Sequence, residues 1–192
     1  MVSCTDFQHL KTYKKVRWED RLLHHGDDRM VKTSTDGTDV PICEPSPFSR
    51  SWWSHKLNGP GLRYELCVAT SCSKIVWVHG PFRAGRWPDT KIFKRGLRQV
   101  LNPLGEKTIA DAGYRGLQNW IQAKGDRFLS PRTRRFNDRA RARHETVNRR
   151  VKQFDCLSQR WRHPLHKHEA MFMAVVCLTN IQLQYEPLFD LF

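Results

Sequence analysis

Three carboxylates stand in settings that suit metal-assisted chemistry. Asp36 lies in a DGT motif where a predicted strand meets a glycine, and Asp111 lies at a second strand end before Gly113. Glu145 lies on a predicted helix, from which its longer side chain can reach toward a strand end. Cutting a phosphodiester needs an activated water and a stabilised leaving oxygen, which two divalent ions about 3.5–4 Å apart can supply. Because Mg²⁺ prefers oxygen ligands, three carboxylates from separate elements would be able to hold such ions.

Each of these carboxylates also has a plainer interpretation. Asp36 would suit an Asx-turn, and Asp111 would suit an ordinary turn before a glycine. Glu145 has Arg141 and Arg149 four residues away on either side, where a helical ion pair contributes about 0.3–0.5 kcal/mol. Residue spacing alone leaves these alternatives open.

Two further aspartates are weaker candidates for the same chemistry. Asp39 is an alternative to Asp36, but an offset of three residues along a strand places it on the opposite face. Asp89 follows Trp87-Pro88 and is interpreted first as the N-terminal cap of a helix. Neither is included in the predicted site.

The pattern of apolar residues predicts the elements that position these side chains. Strands are expected at Lys32–Ile42, Leu62–Thr70, Lys74–Gly80 and Lys107–Asp111, the middle two forming a hairpin. Helices are expected at Asp89–Leu101, Asp138–Leu157 and Pro164–Tyr185. This order predicts an α/β fold with a mixed sheet flanked by helices, spanning residues 31–192. Residues 1–30 are polar and weakly patterned, and we expect them to be a poorly defined N-terminal segment.

Surplus positive charge indicates a polyanionic partner. The 33 Lys and Arg against 19 Asp and Glu give a net charge of +14. Between Arg127 and His163, 12 cations stand against 3 acids, so +9 of that surplus lies in one stretch. We expect phosphate contacts, which supply affinity more than sequence reading. The residues expected to make them are Arg141, Arg143, Arg149, Arg150 and Lys152.

Other classes of protein fit the sequence poorly. No apolar run approaches the roughly 18–20 residues of a membrane-spanning helix, and the first residues contain no apolar stretch typical of a secretion signal. The 6 cysteines form no CxxC pair, which favours reduced thiols in an intracellular protein over a zinc site. We therefore expect a nucleic-acid partner and no membrane.

Several motifs occur together in a recognisable order. They include TDGTDVPICEP (from Thr35), SHKLNGPGLRYEL (from Ser54), IADAGY (from Ile109) and RHETVNRRVKQF (from Arg143). In this order they resemble the catalytic domain of Harbinger-like DDE transposases, a branch also described as DDE superfamily endonucleases. The resemblance covers about four fifths of the chain, from roughly Ser34 to the end.

That resemblance implies a fold, a cofactor and a set of site residues. The implied fold is RNase H-like, and the implied cofactor is Mg²⁺ or Mn²⁺, with two ions. Asp36 corresponds to the family's DGT-type motif, Asp111 to its D-x-GY motif and Glu145 to its helical R-x-E-type motif. The implied activity is that of a transposase-derived endonuclease that cuts or joins DNA, in the nucleus if the source is eukaryotic.

Two departures from the family pattern bear on this expectation. Only about 35 residues precede Asp36, whereas family members usually carry a helix-turn-helix reader there. We therefore expect a separate DNA-recognition protein to supply that reader, and an oligomer stays open. Ala112 also replaces the Lys or Ser expected in the D-x-GY motif, which is minor. The alternative function is a catalytically inactive remnant that binds DNA or a protein partner.

Overall fold

The computed structural model describes residues 16–22, 31–123 and 129–191. Within these ranges the chain forms a six-stranded mixed sheet. The strands are β1 (Val31–Pro41), β2 (Trp53–Ser54), β3 (Gly59–Ala69), β4 (Ile75–Arg83), β5 (Lys107–Ala110) and β6 (Ile121–Ala123). β3 pairs antiparallel with β1, β4 and the short β2, whereas β5 and β6 continue the sheet in parallel beyond β1. β1 therefore lies between an antiparallel half and a parallel half.

Helices cover both faces of this sheet. In the described residues they are α1 (Asp89–Arg95), α2 (Leu97–Leu101), α3 (Pro131–Val151), α4 (Asp155–Ser158) and α5 (His168–Tyr185). On one face, Leu66 of β3 packs in a core with Val147 of α3 and Phe172 of α5. On the other face, Cys67 packs in a second core with Phe93 of α1. None of the helices in these ranges has the length and apolar character needed to cross a membrane.

Alternation along β1 sends neighbouring side chains to these two faces. Asp36 stands opposite Leu66 in the antiparallel register and contacts Asn148 of α3. Asp39 stands opposite Arg63 and forms an ion pair with it on the α1 side. Because successive side chains of a strand point to opposite faces, the offset of three residues separates the two aspartates. The expected opposite placement of Asp39 is confirmed.

The predicted α/β order with a mixed sheet is confirmed, and the main strands lie within a few residues of their expected bounds. One difference concerns the segment 81–88, which was expected to be a loop, because β4 continues through Pro81 to Arg83. β4 pairs only with β3, and an edge strand tolerates a proline because its outer side needs no hydrogen-bond donor. The short strands β2 and β6 were not predicted.

The helix expected over Asp89–Leu101 is interrupted. Gly96 has φ −119° and ψ −91°, outside the helical region, and separates α1 from α2. The ring of His79 occupies the space beside it, since a Cβ added at Gly96 would lie 2.2 Å from His79 Nδ1. Close packing of the sheet against this position, which apolar periodicity does not report, explains the break.

The long helix α3 begins at Pro131 and not at the predicted Asp138. Ser130 caps it, because the Ser130 Oγ accepts a hydrogen bond from the Thr133 backbone N–H at 3.1 Å. Its first turns are rich in arginine and carry no apolar stripe, so periodicity missed them. α3 also ends before the predicted Leu157, which lies in the separate short helix α4.

Most of the predicted N-terminal segment lies outside the described residues. Of residues 1–30, the structure describes 16–22, in which Trp18–Leu22 form a 3-10 turn. Arg21 in this turn is buried and donates two hydrogen bonds to the Glu106 carboxylate, at 2.8 and 2.9 Å. At least this part of the segment packs against the sheet domain.

Candidate active site

Residues from three separate elements line one open cleft of about 590 Å³. Asp36 comes from β1, Asp111 from the residue after β5 and Glu145 from α3. The full lining comprises Ser34, Thr35, Asp36, Asp111, Ala112, Asp138, Arg141, Ala142, His144 and Glu145. All three carboxylates of the predicted site therefore face the same space.

Asp36 lies within a continuous strand. β1 runs through Asp36 and Gly37 to Pro41, so neither the strand end nor the Asx-turn considered for the DGT motif is formed. One carboxylate oxygen accepts a hydrogen bond from the Gly37 N–H at 2.8 Å, and the other accepts one from Asn148 Nδ2 at 3.0 Å. Neutral donors thus orient the carboxylate without neutralising it.

Asp111 has the strand-end position that was expected. β5 ends at Ala110, and the Asp111 carboxylate caps the 3-10 turn Ala112–Tyr114 by accepting from the Gly113 N–H at 2.8 Å. No described residue donates to its second oxygen. The turn interpretation is therefore correct for one oxygen, and the other is free to bind a ligand in the cleft.

Glu145 is exposed on α3 and makes no hydrogen bond or ion pair to any described residue. The helical pairing considered for it is not formed. Arg141 instead forms an ion pair with Asp138, one turn toward the start of the helix. Asp138 is a cleft residue that the sequence did not single out, although its position two helical turns before Glu145 places both on one face.

The chemistry of this donor set fits a hard cation. Carboxylate oxygens are the ligands that Mg²⁺ and similar ions prefer, and three carboxylates face the cleft. Within the described residues, however, no group of three or more His, Cys, Asp or Glu side chains stands at a spacing that would hold a metal ion. The cleft therefore contains oxygen ligands of a suitable kind, but the described side chains are not grouped so that they could hold an ion.

His144 fastens α3 to β1 directly behind the cleft. Its Nδ1 lies 3.0 Å from the Ser34 Oγ and 3.1 Å from the Ser34 backbone oxygen. Burial lowers the pKa of His144, so the ring is neutral near pH 7. The His144 side chain is buried in the folded protein.

One of the expected phosphate contacts is wrong. Arg143 is only 5% exposed, and its guanidinium donates to the backbone oxygens of Thr70 and Cys72 at 3.1 and 3.2 Å and to the Ser73 Oγ at 3.2 Å. It anchors the turn between β3 and β4 to α3. Because the side chain is buried and both Nη atoms donate inside the protein, Arg143 is removed from the set of DNA-facing residues.

The other expected phosphate contacts differ in exposure. Arg149 is exposed, whereas Arg141, Arg150 and Lys152 are half-buried. Arg150 donates to the backbone oxygen of Glu186 at 2.7 Å. Burial lowers the pKa of Lys152. All four lie on α3 or at its end, on the element that carries Glu145.

Asp89 does not cap α1. The capping position is Pro88, and Asp89 lies in the first turn with its carboxylate directed inward. One carboxylate oxygen lies 3.4 Å from Arg63 Nη1, and a Cβ on Gly37 would lie 2.2 Å from the same atom. Asp89 therefore packs against the backbone of β1 immediately behind Asp36, a placement that the helix-cap interpretation missed.

Comparisons with known proteins found a matching family model and a matching relative. A family model described as "DDE superfamily endonuclease" matches residues 35–180. The chain is 30% identical over 159 residues to the "Probable transposase for insertion sequence element IS702" of Microchaete diplosiphon. That match covers 77% of this chain and 56% of the relative, so the chain spans little more than half of the relative's length. No solved structure matches.

Proposed function

The chain belongs to the DDE superfamily endonucleases, and on that premise we propose that it is a transposase-derived nuclease that cuts or joins DNA phosphodiesters with divalent metal ions. The observation that supports this most directly is the cleft. Asp36, Asp111 and Glu145 come from a strand, a strand end and a helix, yet all three line it. Carboxylates so far apart in the chain have no shared structural task there.

Each carboxylate has a separate role in the proposal. Asp36 and Asp111 would hold the first Mg²⁺ or Mn²⁺ ion, and Glu145 would complete the site of a second. Bound ions of this kind activate water and neutralise the leaving oxygen. The protein's own contribution is positioning: Asn148 orients Asp36, the Gly113 N–H orients Asp111, and the structure leaves Glu145 free to turn toward the cleft.

DNA would approach along α3. Arg141, Arg149, Arg150 and Lys152 lie on this helix or at its end, and cations in these positions would contact phosphates on either side of the cleft. Such contacts add affinity whatever the base sequence. A separate DNA-recognition protein would then supply sequence specificity.

The finer assignments belong to the same proposal. The mixed sheet, in which an antiparallel half is extended by two parallel strands, supports the RNase H-like fold. The ordered motifs support the Harbinger-like branch, while the matched relative is a transposase of an insertion sequence element. Nuclear localisation follows only if the source is eukaryotic.

The test is nicking of supercoiled plasmid DNA by the wild type and by Asp111→Asn, with Mg²⁺, with Mn²⁺ and with EDTA. Glu44→Gln is the matched control, because Glu44 is an exposed carboxylate in the loop after β1. We expect nicking by the wild type and the control only with metal, and none by Asp111→Asn, because an amide oxygen is a weaker ligand for a hard cation.

DNA affinity should be unchanged or slightly higher in Asp111→Asn, since the substitution removes an anion and none of the arginines. Nicking that persists in EDTA, or equal nicking by the variant, would contradict the metal mechanism. Inactivity of the wild type together with tight DNA binding would favour the inactive remnant. The observation that favours the inactive remnant is that no group of three or more His, Cys, Asp or Glu side chains in the described residues is arranged to hold a metal ion.

A further inference from the structure

A second basic surface lies on the outer side of α1 and α2. We call it the α1–α2 basic face and define it by Trp87, Lys91, Lys94, Arg95, Arg98 and Trp120. Lys91 and Arg95 are four residues apart on α1, which places them on one side of that helix, and Arg98 follows on α2 beyond the break at Gly96. Ile92 and Phe93 point the other way, into the core.

Tryptophan rings support the cations of this face. The Lys91 Nζ lies 4.4 Å from the centroid of the Trp87 ring, and the Arg95 Cζ lies 5.3 Å from the same ring. The Arg98 Cζ lies 5.5 Å from the Trp120 ring. In contacts of this kind the ring quadrupole attracts the cation to the face of the ring. The face is therefore an ordered array of charge.

Carboxylates do not neutralise this array within the described residues. Asp89 is the acid nearest to it in the chain, and its carboxylate is directed inward, toward Arg63 and Gly37. Glu106, beyond α2, is buried in ion pairs with Arg21 and Lys32. Burial of these acids converts a stretch of moderate net charge into a strongly basic surface.

We propose that the α1–α2 basic face is a second DNA-binding surface, which contacts the phosphate backbone outside the catalytic cleft. The choice of DNA as the ligand rests on the proposed function, but binding at this face does not require an active cleft. The face lies beside the cleft without being part of it: Phe93 of α1 packs edge-on against Tyr114, in the turn that follows Asp111, with 5.9 Å between the ring centroids.

The dimensions of the face suit a nucleic-acid backbone. From Lys91 to Arg95 helix α1 rises roughly 6 Å, at about 1.5 Å per residue. Phosphates of one DNA strand succeed each other at about 3.4 Å along the duplex axis, so these two cations would follow about two nucleotides, and Arg98 on α2 adds a third cation.

The first experiment removes the charge and compares it with an equal loss elsewhere. Lys91→Gln, Arg95→Gln and Arg98→Gln are combined in one variant of the full chain. Arg50→Gln, Arg162→Gln and Lys167→Gln are combined in the control, because these cations are exposed and make no cation–π contact or ion pair with the described residues. Affinity for a 30-base-pair duplex is measured in EDTA between 50 and 200 mM salt, with circular dichroism to check folding.

We expect the face variant to bind at least tenfold more weakly than the control. Its salt slope should fall by about 2–3, since each lost phosphate contact releases about 0.9 fewer counterions. Binding within twofold of the control, with an unchanged slope, would overturn the proposal. Binding by both variants is measured without metal, so it does not depend on catalysis. If the wild type were inactive in the nicking assay, the proposed nuclease would be refuted, but the measured difference in DNA binding would still stand.

A second measurement uses the wild type and so does not depend on the variants. Lysines are labelled with an amine-reactive reagent, with and without duplex DNA, and the products are quantified by mass spectrometry. DNA should slow labelling of Lys91 and Lys94 at least threefold and leave the exposed Lys167 unaffected. Equal labelling with and without DNA would overturn the proposal, and so would equal protection by polyglutamate, which would assign the face to an acidic protein partner.

Discussion

Strand β1 contributes to two regions that differ in how their carboxylates are paired. These are the cleft around Asp36 and the buried ion pair of Asp39 with Arg63. Asp39 is fully buried, and Arg63 donates to its two oxygens at 2.6 and 2.8 Å while Ser54 donates a further hydrogen bond. Burial by itself would raise the pKa of Asp39, but the hydrogen bonds from Arg63 and Ser54 outweigh it and lower the pKa. In the cleft, Asp36 receives only neutral donors, and Glu145 none from the described residues.

This difference separates charge that serves the fold from charge that is available to a ligand. A buried carboxylate that lost its partner would be strongly destabilising, so the Asp39 pair must be complete in the folded protein. An exposed or half-buried carboxylate in a cleft carries no such requirement. The incomplete pairing of Asp36, Asp111 and Glu145 is therefore the property expected of groups that bind something the chain does not itself contain.

The largest difference between the two regions is expected when the same Asp→Asn substitution is made at Asp39 and at Asp36. Asp39→Asn removes the closer of the two carboxylates that pair with the buried Arg63 and leaves only Asp89, at 3.4 Å, among the described residues, so we expect it to lower the free energy of unfolding by about 3–5 kcal/mol. Asp36→Asn should change that free energy by less than about 1 kcal/mol and abolish metal-dependent nicking. Urea denaturation and plasmid nicking measure the two effects.

The two variants are controls for each other, because they make the same chemical change three residues apart on β1. Equal loss of stability in both would show that Asp36 is also part of the folding network. Full nicking by Asp36→Asn would remove Asp36 from the site, whatever happens to stability.

The sequence predicted these two regions unequally. Strand alternation was enough to separate Asp36 from Asp39, and the ordered motifs selected the three carboxylates that line the cleft, although the strand end expected at Asp36 is not formed. Partners far apart in the chain were not predictable. Arg143 lies beside the buried stripe of α3 on a helical wheel, and only the folded turn between β3 and β4 brings the carbonyls of Thr70 and Cys72 to it.

The α1–α2 basic face was missed for a related reason. Counting charge along the chain gives every acid equal weight, whereas Asp39, Asp89 and Glu106 are turned inward and do not offset cations on the surface. The start of α3 at Pro131 was missed because a capped, arginine-rich turn has no apolar period. Local pattern thus predicted the elements and not the contacts between them.

A smaller effect is expected from Glu65, which stands on the same face as Asp39 without a cation. Burial raises the pKa of Glu65 from 4.5 to about 8, and its Oε1 has no hydrogen-bond partner in the described residues. The folded protein therefore holds a proton that the unfolded chain releases above about pH 4.5. This contribution to stability is complete below pH 4.5 and is lost as the pH rises to about 8.

Glu65→Gln should remove that dependence, because the amide imitates the protonated acid at every pH. Between pH 5.5 and 7.5 we expect the wild type to lose about 2–3 kcal/mol more of its free energy of unfolding than the variant does, at about 1.4 kcal/mol per pH unit. Urea denaturation at several pH values gives both curves. Parallel curves would mean that Glu65 is ionised in the folded protein and that this face tolerates an unpaired charge.

The smallest effect is expected at Asn148, which links α3 to the Asp36 carboxylate. Asn148 donates from its Nδ2 to the Asp36 carboxylate at 3.0 Å, while its Oδ1 is buried without a partner among the described residues. Asn148→Ala removes the donor together with the unsatisfied oxygen, so the two contributions to stability oppose each other. We expect the free energy of unfolding to change by no more than about 1 kcal/mol.

Nicking by Asn148→Ala should fall by about tenfold at low Mg²⁺, since partners that orient metal-binding side chains typically contribute 10–100-fold to metal affinity or activity. If Asn148 acts only by positioning Asp36, saturating Mg²⁺ should restore most of the rate, because the carboxylate itself is still present. Asn148→Gln, which keeps the amide on a longer side chain, is the matched control and should recover part of the loss at low Mg²⁺. A rate equal to that of the wild type at every Mg²⁺ concentration would mean that the contact does not position Asp36. A loss of rate that saturating Mg²⁺ leaves unchanged would mean that Asn148 contacts the DNA and does not act through the metal-binding carboxylate.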